Sequence, residues 1–197
     1  FGDDISSGKV FGNKMRFRLR EPLEQFVKAD KLVLGICNGF QVLVEAGLLP
    51  GFDGMSEFPQ ASLATNQPVG YRCMWIYLKY ENRGKCAFTG KIKHGSVLRI
   101  PVAHAEGRFM FEKRKEGTYL EKLLENDQLV FRYCTETGEY AEGKFPLNPN
   151  GAFHDIAGIC DSTGTILGLM PHSERAYYGW QQPDCTKREH VPQNGDG

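Results

Sequence analysis

The pentapeptide GICNG, residues 35–39, constrains the fold of this chain more than any other feature. The apolar run KLVLGI that leads into the cysteine predicts a short buried strand. After the cysteine, Phe40, Leu43 and Val44 have the spacing of one helix face, and Gly47 follows as a helix stop. Because no loop separates the two patterns, the sequence predicts a strand that turns directly into a helix at the cysteine.

The rest of the chain alternates between strand-like and helix-like segments. Helical patterns occur in EPLEQFVKAD and TYLEKLLEND. Strand patterns occur in YRCMWIYLKY, SVLRIPVAH, LVFRYC, IAGIC and TILGLMPH, and the turn DSTG predicts a hairpin between the last two. Strands that alternate with helices predict an α/β fold. The length suits one domain, residues 1–197, in which the polar residues 181–197 form a loosely ordered tail.

The composition argues against several classes of function. The chain has 24 basic and 24 acidic residues, and this balance does not favour a general nucleic-acid or membrane-surface binder. No apolar run approaches the ~20 residues that a membrane-spanning helix needs. The 6 cysteines include no CxxC pair and several lie in apolar runs, so we expect reduced, buried thiols in a cytoplasmic protein.

Cys37 has the position of a catalytic nucleophile. A strand-to-helix corner holds its side chain at the carboxyl edge of the sheet, as in a G-x-S-x-G nucleophile elbow. The dipole of the following helix favours the thiolate, and the backbone N–H of Asn38 is placed to bind an oxyanion. The motif by itself fits a buried cysteine in a tight turn equally well.

A cysteine nucleophile needs a base that a third group orients, and two H-x-E sequences offer such a pair. They are HAE at residues 104–106 and HSE at residues 172–174, each directly after a strand pattern. Residues i and i+2 of an extended segment point to the same side, so the imidazole and carboxylate of each pair can lie close together. His172 has the better setting, because it leaves an apolar strand at an end where α/β proteins form their sites.

Several segments together resemble the PurQ-type glutaminase of phosphoribosylformylglycinamidine synthase, a class I glutamine amidotransferase. In chain order they are LVLGICNGFQVLVEAGLLPG, PVAHAEGRF, LVFRYC, NPNG, IAGIC and LGLMPHSERA. The resemblance runs from residue 1 to at least residue 175. It implies a flavodoxin-like, open, mostly parallel sheet with helices on both faces and an antiparallel hairpin portion.

The resemblance also implies a catalytic triad. Cys37 would be the nucleophile that attacks the side-chain amide of L-glutamine, His172 the base and acid, and Glu174 the group that orients the imidazole. A γ-glutamyl thioester would form and then be hydrolysed to glutamate. Gln41 matches a family position that helps to hold glutamine, and Asn38 would contribute beside it.

The ammonia would pass to a synthetase partner of the PurL type, with a small PurS-type subunit as a further candidate partner. That partner uses ATP and magnesium to amidate formylglycinamide ribonucleotide in purine biosynthesis, so the resemblance implies no cofactor or metal in the glutaminase domain. We expect neither nucleic acid nor a membrane as a partner. His104, Glu106 and Arg108 match the family segment AHGEGR. They would link the glutaminase site to the synthetase, or alternatively form a polar cluster that braces the sheet edge.

The family pattern extends beyond both ends of this chain. Family members begin with a strand, a helix and a second strand, followed by a glycine-rich loop that supplies the second oxyanion N–H, and they end with a further helix. Both ends are therefore expected to be truncated, with the N-terminal strands and the C-terminal helix in a longer, active protein.

Three other functions stay open on the sequence. A different class I glutaminase would share the chemistry and differ only in its synthetase. A free-standing γ-glutamyl cysteine hydrolase would work at full rate without a partner. A non-catalytic interaction module on the same fold would have an inert thiol at Cys37.

Overall fold

The computed structural model describes residues 7–187 and 190–197. Its helices are α1 (Ser7–Arg18), α2 (Arg20–Lys28), α3 (Asn38–Glu45) and α4 (Glu116–Glu125). Its strands are β1 (Val33–Ile36), β2 (Ala61–Ala64), β3 (Arg72–Tyr80), β4 (Val97–His104), β5 (Arg108–Phe111), β6 (Leu129–Cys134), β7 (Ile156–Cys160) and β8 (Ile166–Leu169). Short 3₁₀ turns lie at Phe153–Asp155, Ser173–Arg175, Gly179–Gln181 and Cys185–Lys187. None of the helices in these two ranges is long and apolar enough to cross a membrane.

The main sheet has the strand order β1-β8-β7-β6-β3-β4. β1 and β8 pair in parallel, and every other neighbouring pair is antiparallel. The α/β fold class and the β7–β8 hairpin are confirmed. The prediction of a mostly parallel sheet is correct in one sense: β1, β8, β6 and β4 point in the same direction, and β7 and β3 point in the opposite direction. The prediction is wrong for the pairing of neighbouring strands, which is antiparallel except between β1 and β8. Short connections such as the β7–β8 turn can join only antiparallel neighbours.

α3 contacts β1, β8 and α1. Phe40, Leu43 and Val44, which the sequence placed on one helix face, are all buried in the core. α1 approaches α3 closely at Gly8, where a Cβ would lie 2.6 Å from Gln41 Oε1. The helix that begins at the cysteine is therefore held by the sheet and by α1.

The sequence patterns did not predict a second sheet, in which β2 pairs antiparallel with β5. Both strands have 4 residues, too few for alternation to stand out. The pairing brings two phenylalanines into the core. Phe109 stacks on Phe40 of α3 with ring centroids 6.0 Å apart, and Phe111 contacts Tyr119 of α4 edge-on at 5.3 Å. These contacts hold the start of β5 close to α3.

β1 is less buried than its apolar sequence predicts. Leu34 is 48% exposed, although the neighbouring Gly35 is buried. β1 is the end strand of the sheet and pairs only with β8 within the described residues. The prediction of a buried strand is therefore wrong at Leu34, because the described residues leave 48% of it exposed.

The C-terminal residues contact β4. Arg99 Nη1 lies 2.8 Å from Asp184 Oδ1, and the Arg99 backbone N–H donates to Asp196 Oδ2 at 2.9 Å. Gln182 is buried and donates to the Arg99 carbonyl at 3.3 Å. The single-domain bounds and the loosely ordered tail stay predictions, and residues 1–6 and 188–189 lie outside the described ranges.

We predict that Gly168→Ala on β8 destabilises the protein by about 1–3 kcal/mol. A Cβ at Gly168 would overlap the Phe40 ring and lie 2.6 Å from Leu49 Cδ1, and both side chains are 0% exposed. The control is Gly117→Ala in α4, where a Cβ meets nothing within 4 Å. That change should not destabilise the protein, because the added methyl group meets no neighbouring atom. Denaturant unfolding would measure both, and wild-type stability in the Gly168 variant would contradict the close packing of α3 on β8.

Candidate active site

Cys37 occupies a strained corner between β1 and α3. Its φ of 52° and ψ of −107° are values that non-glycine residues rarely adopt. Its N–H donates to the Leu169 carbonyl on β8 at 2.8 Å, and its carbonyl accepts the N–H of Gln41 at 3.2 Å. The thiol sulfur lies 3.8 Å from the Ala103 carbonyl oxygen and the residue is 8% exposed. The sheet and the first turn of α3 therefore fix the corner from both sides.

The two glycines of the elbow have different roles. A Cβ at Gly35 would lie 2.5 Å from Leu43 Cδ1 and 2.7 Å from the Gly39 carbonyl carbon, so only glycine lets β1 and α3 meet this closely. A Cβ at Gly39 would meet nothing within 4 Å, and Gly39 lines the cleft beside Cys37. Gly35 permits the corner, and Gly39 leaves space in the cleft.

The second part of the site follows β8. The backbone N–H of His172 donates to the Pro101 carbonyl on β4 at 2.8 Å. Its Nδ1 lies 2.6 Å from Glu174 Oε1, and Arg175 Nε lies 3.6 Å from the same oxygen. The Glu174 carboxylate therefore lies within hydrogen-bonding distance of one nitrogen of the imidazole. The other nitrogen, His172 Nε2, is buried and has no hydrogen-bond partner within the part of the chain that the structure describes.

The parallel pairing of β1 with β8 brings Cys37 and His172 to the same edge of the sheet. β1 and β8 are in register with Ile36 opposite Leu169, so Cys37 and His172 leave neighbouring strand ends at one edge of the sheet. A cleft of about 520 Å³ lies at that edge, and both residues line it. Its size suits a small ligand such as an amino acid. Across residues 7–187 and 190–197, no three His, Cys, Asp or Glu side chains are grouped so that they could hold a metal ion.

The side chains of Asn38 and Gln41, the predicted substrate-binding residues, face other parts of the protein. Asn38 lines the cleft, but its Oδ1 lies 3.5 Å from Ser7 Oγ on α1. Its backbone N–H is in the first turn of α3, where a helix supplies no partner of its own. Gln41 is 4% exposed and its Nε2 donates to the Glu106 carbonyl at 2.5 Å. This contact links α3 to the turn between β4 and β5, and substrate binding by Gln41 stays a prediction.

His104, the histidine of the other H-x-E sequence, is fully buried at the end of β4. Its Nδ1 lies 3.2 Å from Asn66 Oδ1, so its partner is an amide rather than a carboxylate. Burial lowers the pKa of His104 to about 4, and the charges of His172 and Arg72 act in the same direction. His104 is therefore neutral at neutral pH. Of the two H-x-E sequences, the one at residues 172–174 forms the direct histidine–carboxylate pair.

Glu106 and Arg108 flank the turn between β4 and β5. The Glu106 carbonyl receives the Gln41 hydrogen bond, and Arg108 Nη1 donates to Gln67 Oε1 at 2.5 Å. Both residues are partly exposed. Glu106 therefore lies in the turn that touches α3 and Arg108 at the start of the next strand, and their role in coupling to a partner stays a prediction.

Sequence reasoning missed two buried asparagines beside this turn. Asn66 Oδ1 accepts the Gly107 N–H at 2.9 Å, and Asn150 Nδ2 donates to the Gly107 carbonyl at 2.9 Å. No spacing pattern marks Asn66, and Asn150 was visible only as part of the segment NPNG. A buried polar residue reveals its partners only once the chain is folded.

Comparisons with known proteins show which family this chain resembles. Residues 1–196 match the family described as CobB/CobQ-like glutamine amidotransferase domain. The chain is 49% identical over 183 residues to phosphoribosylformylglycinamidine synthase subunit PurQ of Archaeoglobus fulgidus, covering 91% of this chain and 66% of that protein. It is 47% identical over 199 residues to the same subunit of Methanococcus maripaludis, covering 100% of this chain and 70% of that protein.

A solved structure shows the same fold. The structure of PurLQS from Thermotoga maritima contains a chain that is 30% identical, with a TM-score of 0.63, covering 91% of this chain and 67% of that chain. The present chain thus spans between 66% and 70% of the length of these three proteins. The resemblance stated from the sequence segments is confirmed. The chain belongs to the PurQ family of class I glutamine amidotransferases, the glutaminase subunits of phosphoribosylformylglycinamidine synthase.

Proposed function

We propose that this chain, within its full-length protein, hydrolyses L-glutamine to glutamate and ammonia through a thioester on Cys37. The observation that carries the proposal is the shared cleft. Cys37 and His172 line it together, and Glu174 holds the His172 imidazole by its Nδ1. The family supplies the substrate and the reaction type.

In the first half-reaction the Cys37 sulfur attacks the side-chain carbonyl carbon of glutamine. His172 Nε2 takes the thiol proton and returns it to the departing nitrogen, so ammonia leaves and a γ-glutamyl thioester forms. Glu174 supports this transfer because its carboxylate, 2.6 Å from Nδ1, stabilises the imidazolium that exists between the two proton movements.

In the second half-reaction water attacks the thioester carbonyl carbon. His172 Nε2 accepts a proton from that water and then returns it to the Cys37 sulfur as the C–S bond breaks. Glutamate leaves and the thiol is restored. One imidazole serves both half-reactions, which is why its orientation by Glu174 matters.

The developing oxyanion lies at the start of α3 in this proposal. The backbone N–H of Asn38 is a first-turn donor for which the helix itself supplies no acceptor, and the helix dipole adds positive potential at the same point. The same potential favours the thiolate of Cys37 over the thiol.

The proposed partner is a synthetase of the PurL type, with a PurS-type subunit as a third component. Support comes from the name of the Thermotoga maritima assembly, PurLQS. The partner would use ATP and magnesium to amidate formylglycinamide ribonucleotide with the ammonia, in purine biosynthesis. We assign His104, Glu106 and Arg108 to the coupling between the glutaminase site and the synthetase site. They lie in or beside the turn between β4 and β5, which contacts α3 through Gln41.

A cytoplasmic location fits this assignment. None of the cysteines at positions 37, 73, 86, 134, 160 and 185, all within the described ranges, forms a disulfide. Reduced cysteines are the rule in the cytoplasm.

We predict that Cys37 is the residue that a glutamine-analogue electrophile labels in the full-length protein. Cys37→Ala should abolish glutamine use and spare ammonia-dependent synthesis by the partner, which needs no thiol. Peptide mass spectrometry would locate the label, and Cys73→Ala is the control because Cys73 is exposed and distant in sequence. Label on any other cysteine would contradict the assignment.

We predict that His172→Ala lowers glutamine turnover by ~10²–10⁴-fold, the usual contribution of a general acid–base residue. His104→Ala should cost less, because His104 is neutral and paired with an amide. Steady-state glutaminase assays would compare the two variants, with circular dichroism to confirm that both are folded. Greater damage from the His104 change in the isolated glutaminase would mean that the other H-x-E pair carries the chemistry.

We predict that synthetase with its nucleotide ligands raises glutamine turnover by the full-length glutaminase. Small displacements at a reacting centre cost ~10²-fold, so docking at the β4–β5 turn can raise activity by correcting the geometry. Glu106→Gln and Arg108→Gln should weaken this activation more than they weaken basal hydrolysis. The exposed Glu121→Gln on α4 is the matched control. Equal turnover with and without the partner would favour a free-standing γ-glutamyl hydrolase.

A further inference from the structure

The turn between β4 and β5 contacts the nucleophile helix through one side chain. Gln41 Nε2 donates to the Glu106 carbonyl at 2.5 Å, and the Gln41 backbone N–H donates to the Cys37 carbonyl at 3.2 Å. A shift of the Glu106 carbonyl therefore acts on the residue that closes the first turn of α3. Any group that fixes this turn also fixes the start of the helix.

Asn66 contacts the turn through both its side chain and its backbone. Its Nδ2 donates to the carbonyls of His104 and Gly70, both at 2.9 Å. Its Oδ1 accepts the Gly107 N–H at 2.9 Å and lies 3.2 Å from His104 Nδ1. Its backbone N–H donates to the Ala105 carbonyl at 2.9 Å. One residue thus holds both ends of the segment 104–107.

Only an amide fits these partners. Both groups near Asn66 Nδ2 are carbonyl oxygens, which accept hydrogen bonds, so the orientation of the amide is determined. Asn66 Oδ1 is then an acceptor, and His104 must present a proton on Nδ1. A carboxylate at position 66 would place an oxygen against two carbonyl oxygens. Asn66 is 1% exposed, so water does not replace lost partners without cost.

The opposite side of the turn is fixed by packing and by a second amide. A Cβ at Gly107 would lie 2.6 Å from His104 Nδ1, so the Gly107 backbone lies directly against the imidazole. Asn150 Nδ2 donates to the Gly107 carbonyl and, at 3.0 Å, to the Tyr133 hydroxyl oxygen. Packing and a hydrogen bond therefore hold the Gly107 end of the turn, and the Glu106 carbonyl connects the turn to Gln41 of α3.

We propose that Asn66 is a positioning residue for glutamine hydrolysis. Its side chain fixes the segment 104–107, and the Gln41–Glu106 hydrogen bond transmits that position to the start of α3 and to Cys37. This inference rests on the proposed glutaminase function and extends it to a residue outside the cleft.

The test is steady-state glutamine hydrolysis by the full-length protein with Asn66→Asp, which keeps the shape of the side chain and removes both Nδ2 donors. We expect kcat to fall at least ~10-fold, since small misplacements of a reacting group are this costly. KM should change less than about twofold, because the loss falls on the transition state rather than on substrate binding. The double variant Asn66→Asp with Gln41→Met should lose less kcat than the two single variants predict together. Both changes interrupt the same connection from Asn66 through Glu106 and Gln41 to α3.

Asn82→Asp is the matched control. Asn82 is 0% exposed, its Nδ2 donates to the Asp127 carbonyl, and its Oδ1 accepts the N–H groups of Gly84 and Cys86 at 3.1 and 3.0 Å. It follows β3, which runs opposite to β1, so it lies at the far edge of the sheet from Cys37. This variant should lose stability and keep its kcat.

Several outcomes would overturn the inference. They are an unchanged kcat in Asn66→Asp, an equal fall of kcat in Asn82→Asp, and additive effects of the Asn66 and Gln41 changes. A wild-type protein that neither hydrolyses glutamine nor takes up the electrophile would instead overturn the proposed function.

A measurement on the wild-type protein tests the Asn66–His104 contact even if the Asn66→Asp variant does not fold. The ¹⁵N NMR spectrum of His104 should show a proton on Nδ1 that exchanges slowly with water. The tautomer protonated on Nε2 would break the Asn66 contact and overturn the inference.

Discussion

The parallel pairing of β1 with β8 sets where Cys37 and His172 lie. Ile36 is opposite Leu169, so the two strands end together and the chain leaves each at the same edge of the sheet. Cys37 and α3 follow the end of β1, and the chain after β8 continues through Met170 to His172. The cleft that Cys37 and His172 line together depends on this register.

The backbone of Cys37 is strained, and the surrounding packing offsets this strain. A non-glycine residue at φ 52° and ψ −107° stores strain of order 1–3 kcal/mol, and such strain persists only where neighbours fix the backbone. The Leu169 carbonyl fixes the Cys37 N–H, and the buried Phe40 anchors α3 against Gly168 of β8. The strained backbone position thus coincides with Cys37, the proposed nucleophile.

Several buried polar groups beside the site are paired with each other. Asn66 and Asn150 satisfy the backbone of the β4–β5 turn, and the Asn150 amide also donates to the Tyr133 hydroxyl. Burial raises the pKa of Tyr133 and lowers that of His104, so both side chains stay neutral at neutral pH. A polar network without net charge is rigid and avoids the desolvation cost of buried ions.

The sequence alone determined the local features of this protein. The glycines around Cys37 and the apolar periods on both sides predicted the strand, the corner and the helix, because these follow from neighbours in the chain. It also indicated the pair at residues 172–174, since i and i+2 positions lie on one side of an extended segment. Tertiary structure alone decided the pairing of β1 with β8, the exposure of Leu34 and the partners of Gln41 and Asn66. These are contacts between residues far apart in sequence, and no local pattern encodes which distant groups meet when the core packs.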